Sequence, residues 1–165
     1  MTLYLVRHGE AVRPEEAADD ESRPLTKAGR KEVALVAGGV SGLIADVEHI
    51  LHSGRRRALE TAGIWAESLS QRPEVEEHPH LHPMDDPLAA AALADAAAEP
   101  LVVVGHLPHL SRVASLLLAG DSDGELLTLP TGAVAALERE DDLWRVRWML
   151  TPKLARALAG KRGKG

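Results

Sequence analysis

The sequence predicts an α/β protein, a three-layer α/β/α fold around a mostly parallel central sheet. Two observations carry that expectation. Residues 3–6 and 101–104 are short, continuous apolar runs without polar alternation, the pattern of strands buried on both faces. Between and after such runs lie stretches with apolar residues at helical spacing. Strands alternating with helices argue for a sheet covered on both sides.

In chain order, residues 3–6 form a strand that stops at Arg7-His8-Gly9. Residues 10–23 read as an acidic, solvated loop, and because it leaves directly from the strand tip the alternative is a loop that lies over the site. Thr26 is set to cap a helix whose buried face is Val33, Val36, Ala37 and Val40. A second strand covers residues 47–53 and turns through Gly54-Arg55-Arg56-Arg57 into a helix burying Ala58, Ala62, Trp65 and Leu69. Residues 74–78 suggest a short strand and residues 81–87 a loop. Asp86-Pro87 has the form of a helix start, with proline at the first position, before the Ala-rich residues 88–98. The strand at 101–104 ends in Gly105-His106, and residues 108–119 read as a helix. Residues 134–138 and 144–149 read as a hairpin, with Trp144, Val146 and Trp148 on one face. Residues 152–159 close the fold as a helix. The expectation is one catalytic domain over residues 1–160 and a basic, Gly-rich tail over 161–165, with no internal repeat or linker.

Composition narrows the function. With no cysteine, disulfides, thiolate catalysis and Cys-ligated metals are excluded. A net charge of −6 argues against a general nucleic-acid binder. No apolar run approaches the roughly 18 residues of a membrane span, and the first residues already form a strand rather than a signal peptide. A cytoplasmic protein is expected. Phenylalanine is absent, so Leu, Val, Ile and Ala must build the core.

Three strand-to-helix junctions hold the chemistry: Arg7-His8-Gly9, residues 53–57, and Gly105-His106. In an open parallel sheet they share the carboxyl edge, where ligands bind. Two histidines and at least two arginines around one point suit a dianionic tetrahedral group. Guanidinium forks bind phosphate oxygens in bidentate fashion, helix N-termini add N–H donors, and a neutral imidazole can attack phosphorus.

Those residues resemble a known family. Leu5-Val6-Arg7-His8-Gly9-Glu10-Ala11 is similar to the signature of the histidine phosphatase superfamily, the phosphoglycerate-mutase-like fold. Further pieces follow in the family's order: Pro24-Leu25-Thr26-Lys27-Ala28-Gly29, then residues 53–62 (Ser-Gly-Arg-Arg-Arg-Ala-Leu-Glu-Thr-Ala), then Val104-Gly105-His106, then Thr131-Gly132-Ala133-Val134. The small size, the Arg-His-Gly-acid-Ala form, His106-Leu107-Pro108 and Leu81-His82-Pro83 resemble the SixA-type phosphohistidine phosphatase branch. The resemblance implies His8 as nucleophile, with Arg7, Arg57, His106 and the Leu107 N–H completing the phosphate pocket. Arg57 is selected over Arg55 and Arg56 by its spacing to Ser53 and Thr61. The other two are expected to be solvated or to meet an acidic partner surface.

Two departures, Gly54 for the usual Pro and Glu60 for the usual Gln, are not expected to touch phosphate. A third matters more, because the family's leaving-group acid has no clear counterpart. Asp86 or Asp85 is the nearest candidate. A phosphomonoester leaves as an alkoxide and needs that acid, whereas a phosphohistidine leaves as imidazole, with an ordinary pKa of about 6.5. The missing acid therefore favours protein phosphohistidine as substrate. The alternatives are a small-molecule phosphomonoesterase acting on a sugar phosphate or nucleotide, and a non-catalytic phosphate or phosphoprotein binder. No cofactor is expected, since positive side chains take the place of a metal. His78, His80 and His82 alternate as a metal site would, but an exposed, Pro-punctuated loop is the favoured reading. His109, one turn from His106, is expected near the site mouth without a role.

Overall fold

The computed structural model describes residues 1–162. Its order is β1 (Thr2–Arg7), α1 (Lys27–Val40), β2 (His49–His52), α2 (Arg56–Ser68), β3 (Glu74–Glu77), α3 (Pro87–Ala96), β4 (Leu101–Gly105), α4 (His109–Ala119), β5 (Val134–Glu140), β6 (Leu143–Leu150) and α5 (Pro152–Arg162). The six strands form one sheet in the order β3-β2-β4-β1-β5-β6. The first four are parallel, while β5 and β6 run antiparallel, as the expected hairpin. β4 enters the slot between β1 and β2, so the three motif-bearing strands are neighbours.

Alternation along the strands builds two cores. Tyr4, Val6, Val102 and Val104 face α1 and α2, where Val33, Val36, Ala37, Ala62 and Trp65 are buried. Leu3, Leu5, Leu101 and Val103 face the other way, against Ala90, Ala94, Leu110 and Val113 of α3 and α4. This is the three-layer arrangement, and Trp65, wholly buried, fills the bulk that phenylalanine would otherwise supply. Thr26 caps α1 as expected, accepting the Gly29 N–H at 2.9 Å. Gly29 itself is required, because a Cβ there would lie 2.2 Å from the Glu10 carbonyl oxygen. The first turn of α1 is thus pressed against the chain leaving β1.

Two expectations are corrected. Trp144 and Trp148 do not share a face: Trp144 packs with the α3–α4 core and Trp148 against the α1–α2 core. The cause is an irregularity between Ala136 and Leu137 that pairs Ala136 with Trp148 and Leu137 with Val146, shifting the register by one and leaving Val146 46% exposed. The last helix also runs past Ala159 to Arg162. No proline intervenes, and one glycine inside a helix costs only about 1 kcal/mol. Residues 163–165 of the expected tail lie outside the described residues.

Candidate active site

Register places the motif residues. Arg7 on β1 lies opposite Gly105 on β4, and His52 on β2 opposite Val104. The next residues, His8, Ser53 and His106, therefore emerge at neighbouring points of the carboxyl edge. The His8 N–H donates to the Gly105 carbonyl at 3.1 Å. The His8 and His106 rings stand 4.8 Å apart, centroid to centroid, tilted by 50°. On the other flank, residues 129–133 clasp the end of β1. The Arg7 N–H donates to the Ala133 oxygen at 3.0 Å, and the Gly132 N–H is shared by the Arg7 and His8 oxygens. Arg7 Nη1 donates to the Leu129 carbonyl at 2.8 Å, which fixes the guanidinium beside the pocket.

The two imidazoles are held by different groups. His8 Nδ1 lies 2.7 Å from the Gly9 carbonyl oxygen. A carbonyl can only accept, so Nδ1 carries the proton and Nε2 is left with its lone pair. The next peptide is anchored too, with the Gly9 N–H donating to Thr61 Oγ1 at 3.1 Å. His106 instead meets Ser53 Oγ through Nε2, at 2.5 Å, and its Nδ1 is buried without a partner. Burial first, then Arg57 and Arg7, pushes the His8 pKa down to about 4 against the opposing pull of Gly9. Burial, then His8, Arg57 and Arg55, pushes His106 down to about 2. Both rings are therefore neutral in the free protein at pH 7.

Arg57 sits in the first turn of α2 with its side chain 6% exposed. Its Nη1 donates to the Asp20 carbonyl at 2.6 Å and its Nη2 to the Asp20 carboxylate at 3.1 Å. Arg23 meets the same carboxylate at 2.7 Å, and Arg55 also pairs with it. This corrects the view of residues 10–23 as merely solvated. The loop carries a 3₁₀ turn at Pro14–Glu16, and its far end is tied to α2 where the Arg56 N–H donates to Glu21 O. Arg55 is likewise part of the cluster and not a free surface cation, while Arg56 is exposed as expected. The Asp20 pKa falls to about 2, chiefly through its hydrogen bond from Arg23 and then that from Arg57.

The remaining residues are less central. Leu107 is partly buried in the turn before α4. Asp86 caps α3, accepting the Leu88 N–H at 2.9 Å, and Asp85 accepts the His82 N–H at 2.8 Å, so both candidate acids hold backbone. His109 is fully buried, not at the mouth, because as the first residue of α4 it points beneath the 81–87 loop. Among the described residues, the grouping with metal-ligand spacing is His49, Glu74 and Glu76, not His78, His80 and His82. It lies mostly exposed at the amino end of β2 and β3, opposite the pocket. Gly54 has φ +79°, where a Cβ would strike the Glu77 carboxylate and proline cannot go. Glu60 binds the Leu25 N–H, Arg30 and Arg56, lashing α2 to the entry of α1. Sequence reasoning used Ser53 and Thr61 only as spacing marks and missed Asp20 and Arg23. An aspartate three residues before an arginine in a loop leaving the site was the available signal.

Among the described residues no helix is long and apolar enough to cross a membrane. Comparison with known proteins agrees with this geometry. The chain is 28% identical over 165 residues to the phosphohistidine phosphatase SixA of Escherichia coli K12, covering 96% of this chain and all of that one. A solved structure of the protein histidine phosphatase SixA complexed with tungstate superposes with a TM-score of 0.80 at 26% identity, over 93% of this chain and 98% of that one. The α-ribazole phosphatase of Shigella flexneri shares the fold at a TM-score of 0.68 and 17% identity, over 92% and 97% of the two chains. The family model that matches residues 3–85, half of the chain, contains the Arg7-His8-Gly9 strand end, the α1 cap and the Ser53-to-Thr61 stretch, and by it the chain belongs to the histidine phosphatase superfamily (branch 1).

Proposed function

We propose that this protein is a phosphatase that removes the phosphoryl group of protein phosphohistidine through a covalent phosphohistidine at His8, without a metal. The observation that carries the reading is the His8 tautomer. Its Nδ1–H is spent on the Gly9 carbonyl, so Nε2 offers a lone pair in a pocket of arginines. Arg7 and Arg57 bind the phosphoryl oxygens, with the Leu107 N–H beside them. Nε2 attacks phosphorus in line, the P–Nε2 bond forms, and the substrate P–N bond breaks as the leaving imidazole takes a proton from solvent on its other nitrogen. Water then attacks phosphorus, the P–Nε2 bond breaks, a proton of that water returns to solvent, and inorganic phosphate leaves His8 neutral as before.

His106 enters this scheme as a ring that is neutral until the ligand arrives. In the free protein burial, and then the neighbouring charge of Arg57, hold it neutral. An arriving phosphoryl dianion adds two negative charges beside it and reverses that balance, so the ring takes its proton with the substrate. The charge supplied by Arg7, Arg57 and His106 is the work a metal would otherwise do. The two SixA relatives are named a phosphohistidine phosphatase and a protein histidine phosphatase, and an imidazole leaving group has no need of an acid from Asp85 or Asp86, whose carboxylates hold backbone N–H groups.

The test is a pair of rates on purified protein in chelator, one on a phosphohistidine peptide and one on an aryl phosphomonoester. A large preference for the phosphoramidate, unchanged by chelator, is expected. Comparable turnover of the monoester, lost in Asp85→Asn or Asp86→Asn, would replace this reading with a small-molecule phosphomonoesterase. Activity lost in chelator and restored by zinc or magnesium would overturn metal independence. No turnover of either substrate, with no phosphoenzyme trapped, would leave a phosphate binder.

A further inference from the structure

We propose that Asp20 is an internal competitor for the phosphoryl site: its carboxylate occupies Arg57 in the free protein, and the substrate's phosphoryl group displaces it. The inference rests on the pocket assigned above and concerns how that pocket is gated. Residue 20 holds Arg57 in two ways. Its carbonyl oxygen accepts from Nη1 and its carboxylate from Nη2. The carbonyl contact aims the guanidinium without charge. The carboxylate puts a negative oxygen on the same planar fork that phosphate requires. Arg57 is otherwise buried, so Asp20 is the anion in contact with it.

The surroundings give the displaced carboxylate somewhere to go. Arg23 and Arg55 meet the same carboxylate on a side chain that is 47% exposed. Three arginines converge on one carboxylate, and Arg7 adds a fourth cation nearby. With Asp20 at −1 and both histidines neutral, the four arginines leave a surplus of three positive charges. A phosphoryl dianion takes two of them. Arg57 can therefore pass to phosphate while Arg23 and Arg55 keep Asp20. The loop 10–23 keeps its shape through Arg23 Nε to the Val12 carbonyl at 2.8 Å and stays attached to α2 through the Arg56 N–H to the Glu21 carbonyl at 2.9 Å, contacts that do not use the carboxylate. The exchange is a side-chain movement over a tethered loop.

When only a fraction of the molecules has a free site, the apparent affinity is lowered by that fraction. Asp20 thus sets how strongly phosphate, the reaction product, and small anions are held. The test is calorimetric titration with inorganic phosphate at fixed ionic strength. Asp20→Asn keeps the backbone contact to Arg57 and removes the competing charge, so it should bind phosphate about tenfold more tightly than wild type. Asp20→Ala should do the same, which guards against a fold defect peculiar to one variant. Glu21→Gln removes one neighbouring negative charge that does not touch Arg57, and it should tighten binding far less. Equal tightening in Glu21→Gln and Asp20→Asn would reduce the effect to general charge and overturn the proposal. Unchanged or weaker binding in both Asp20 variants would overturn it too, making Asp20 a support that Arg57 needs. Arg57→Ala separates the two levels of the argument. Phosphate binding as strong in that variant as in wild type would refute the pocket assignment itself.

Discussion

His8 and His106 stand at matching ends of two adjacent parallel strands, with rings 4.8 Å apart, yet they are wired in opposite ways. His8 is fixed through Nδ1 by a backbone carbonyl, which only accepts. His106 is fixed through Nε2 by the Ser53 hydroxyl, which can donate or accept. The first arrangement commits one ring nitrogen permanently and leaves the other as a lone pair. The second lets the ring gain a proton without breaking its hydrogen bond, because the hydroxyl rotates. A fixed tautomer suits a nucleophile, and an adjustable one suits a group that answers the charge of its ligand.

The most severe test of that asymmetry is removal of each ring. His8→Ala should lower phosphohistidine turnover by more than about a thousandfold, since no other group replaces its Nε2. Rapid-quench detection of phosphoenzyme should show none. Retained turnover would break the assignment outright. His106→Ala should cost less, about a hundredfold to a thousandfold, the scale of losing one preorganised charge-stabilising donor, and phosphoenzyme should still form slowly. Equal losses in both variants, with no phosphoenzyme in either, would erase the proposed division of labour.

A gentler test is titration. At pH 5 a histidine of ordinary pKa, about 6.5, is only ~3% neutral, roughly thirtyfold less than a ring held at about 4. Imidazole ¹⁵N shifts should show His8 neutral down to about pH 4 and His106 neutral still lower, with inorganic phosphate raising His106 more than His8. A ring titrating near 6.5 without ligand would contradict the electrostatics. The sign carries over to stability. Both pKa values are lower in the fold than in the unfolded chain, so the unfolded state takes up more protons below pH 6.5. Stability should fall as pH drops from about 6.5 toward 4, and His8→Ala should flatten part of that slope.

How much of this was legible in the sequence follows from distance along the chain. Strands, helix caps and the two cores were readable because they rest on local periodicity and on residues such as Thr26, Asp86 and the run at 101–104. Arg7, His8, Arg57 and His106 were nameable because each sits in a short motif at a strand or helix end. Their convergence is the register of β1, β2 and β4, which a parallel topology implies. The spacing of Asp20 to Arg23 signals only their local ion pair, while the pairing of Asp20 with Arg57, 37 residues away, was not legible in a stretch whose acidic composition is that of any solvated loop. The reversal of Trp144 and Trp148 hangs on one irregular pairing at Ala136, and nothing in an alternating strand announces it.

The smallest effect addresses the hydroxyl that distinguishes the two rings. Ser53→Ala removes the Nε2 partner of His106 and leaves the ring packed in place, because Ser53 is wholly buried and alanine fits its space. One hydrogen bond of this kind is worth roughly 0.5–1.5 kcal/mol, so turnover should fall by about twofold to tenfold. The loss should appear in kcat/KM and, by a similar factor, in phosphate affinity, since a ring that gains its proton less readily on binding also holds the bound anion less tightly. Ser53→Thr, which keeps the hydroxyl, should recover most of the activity if its extra methyl is accommodated. In Ser53→Ala the rise in His106 pKa on adding phosphate should shrink while that of His8 stays as in wild type. If the two rings instead respond alike, the hydroxyl is a packing contact and the asymmetry between the strand ends has no chemical consequence.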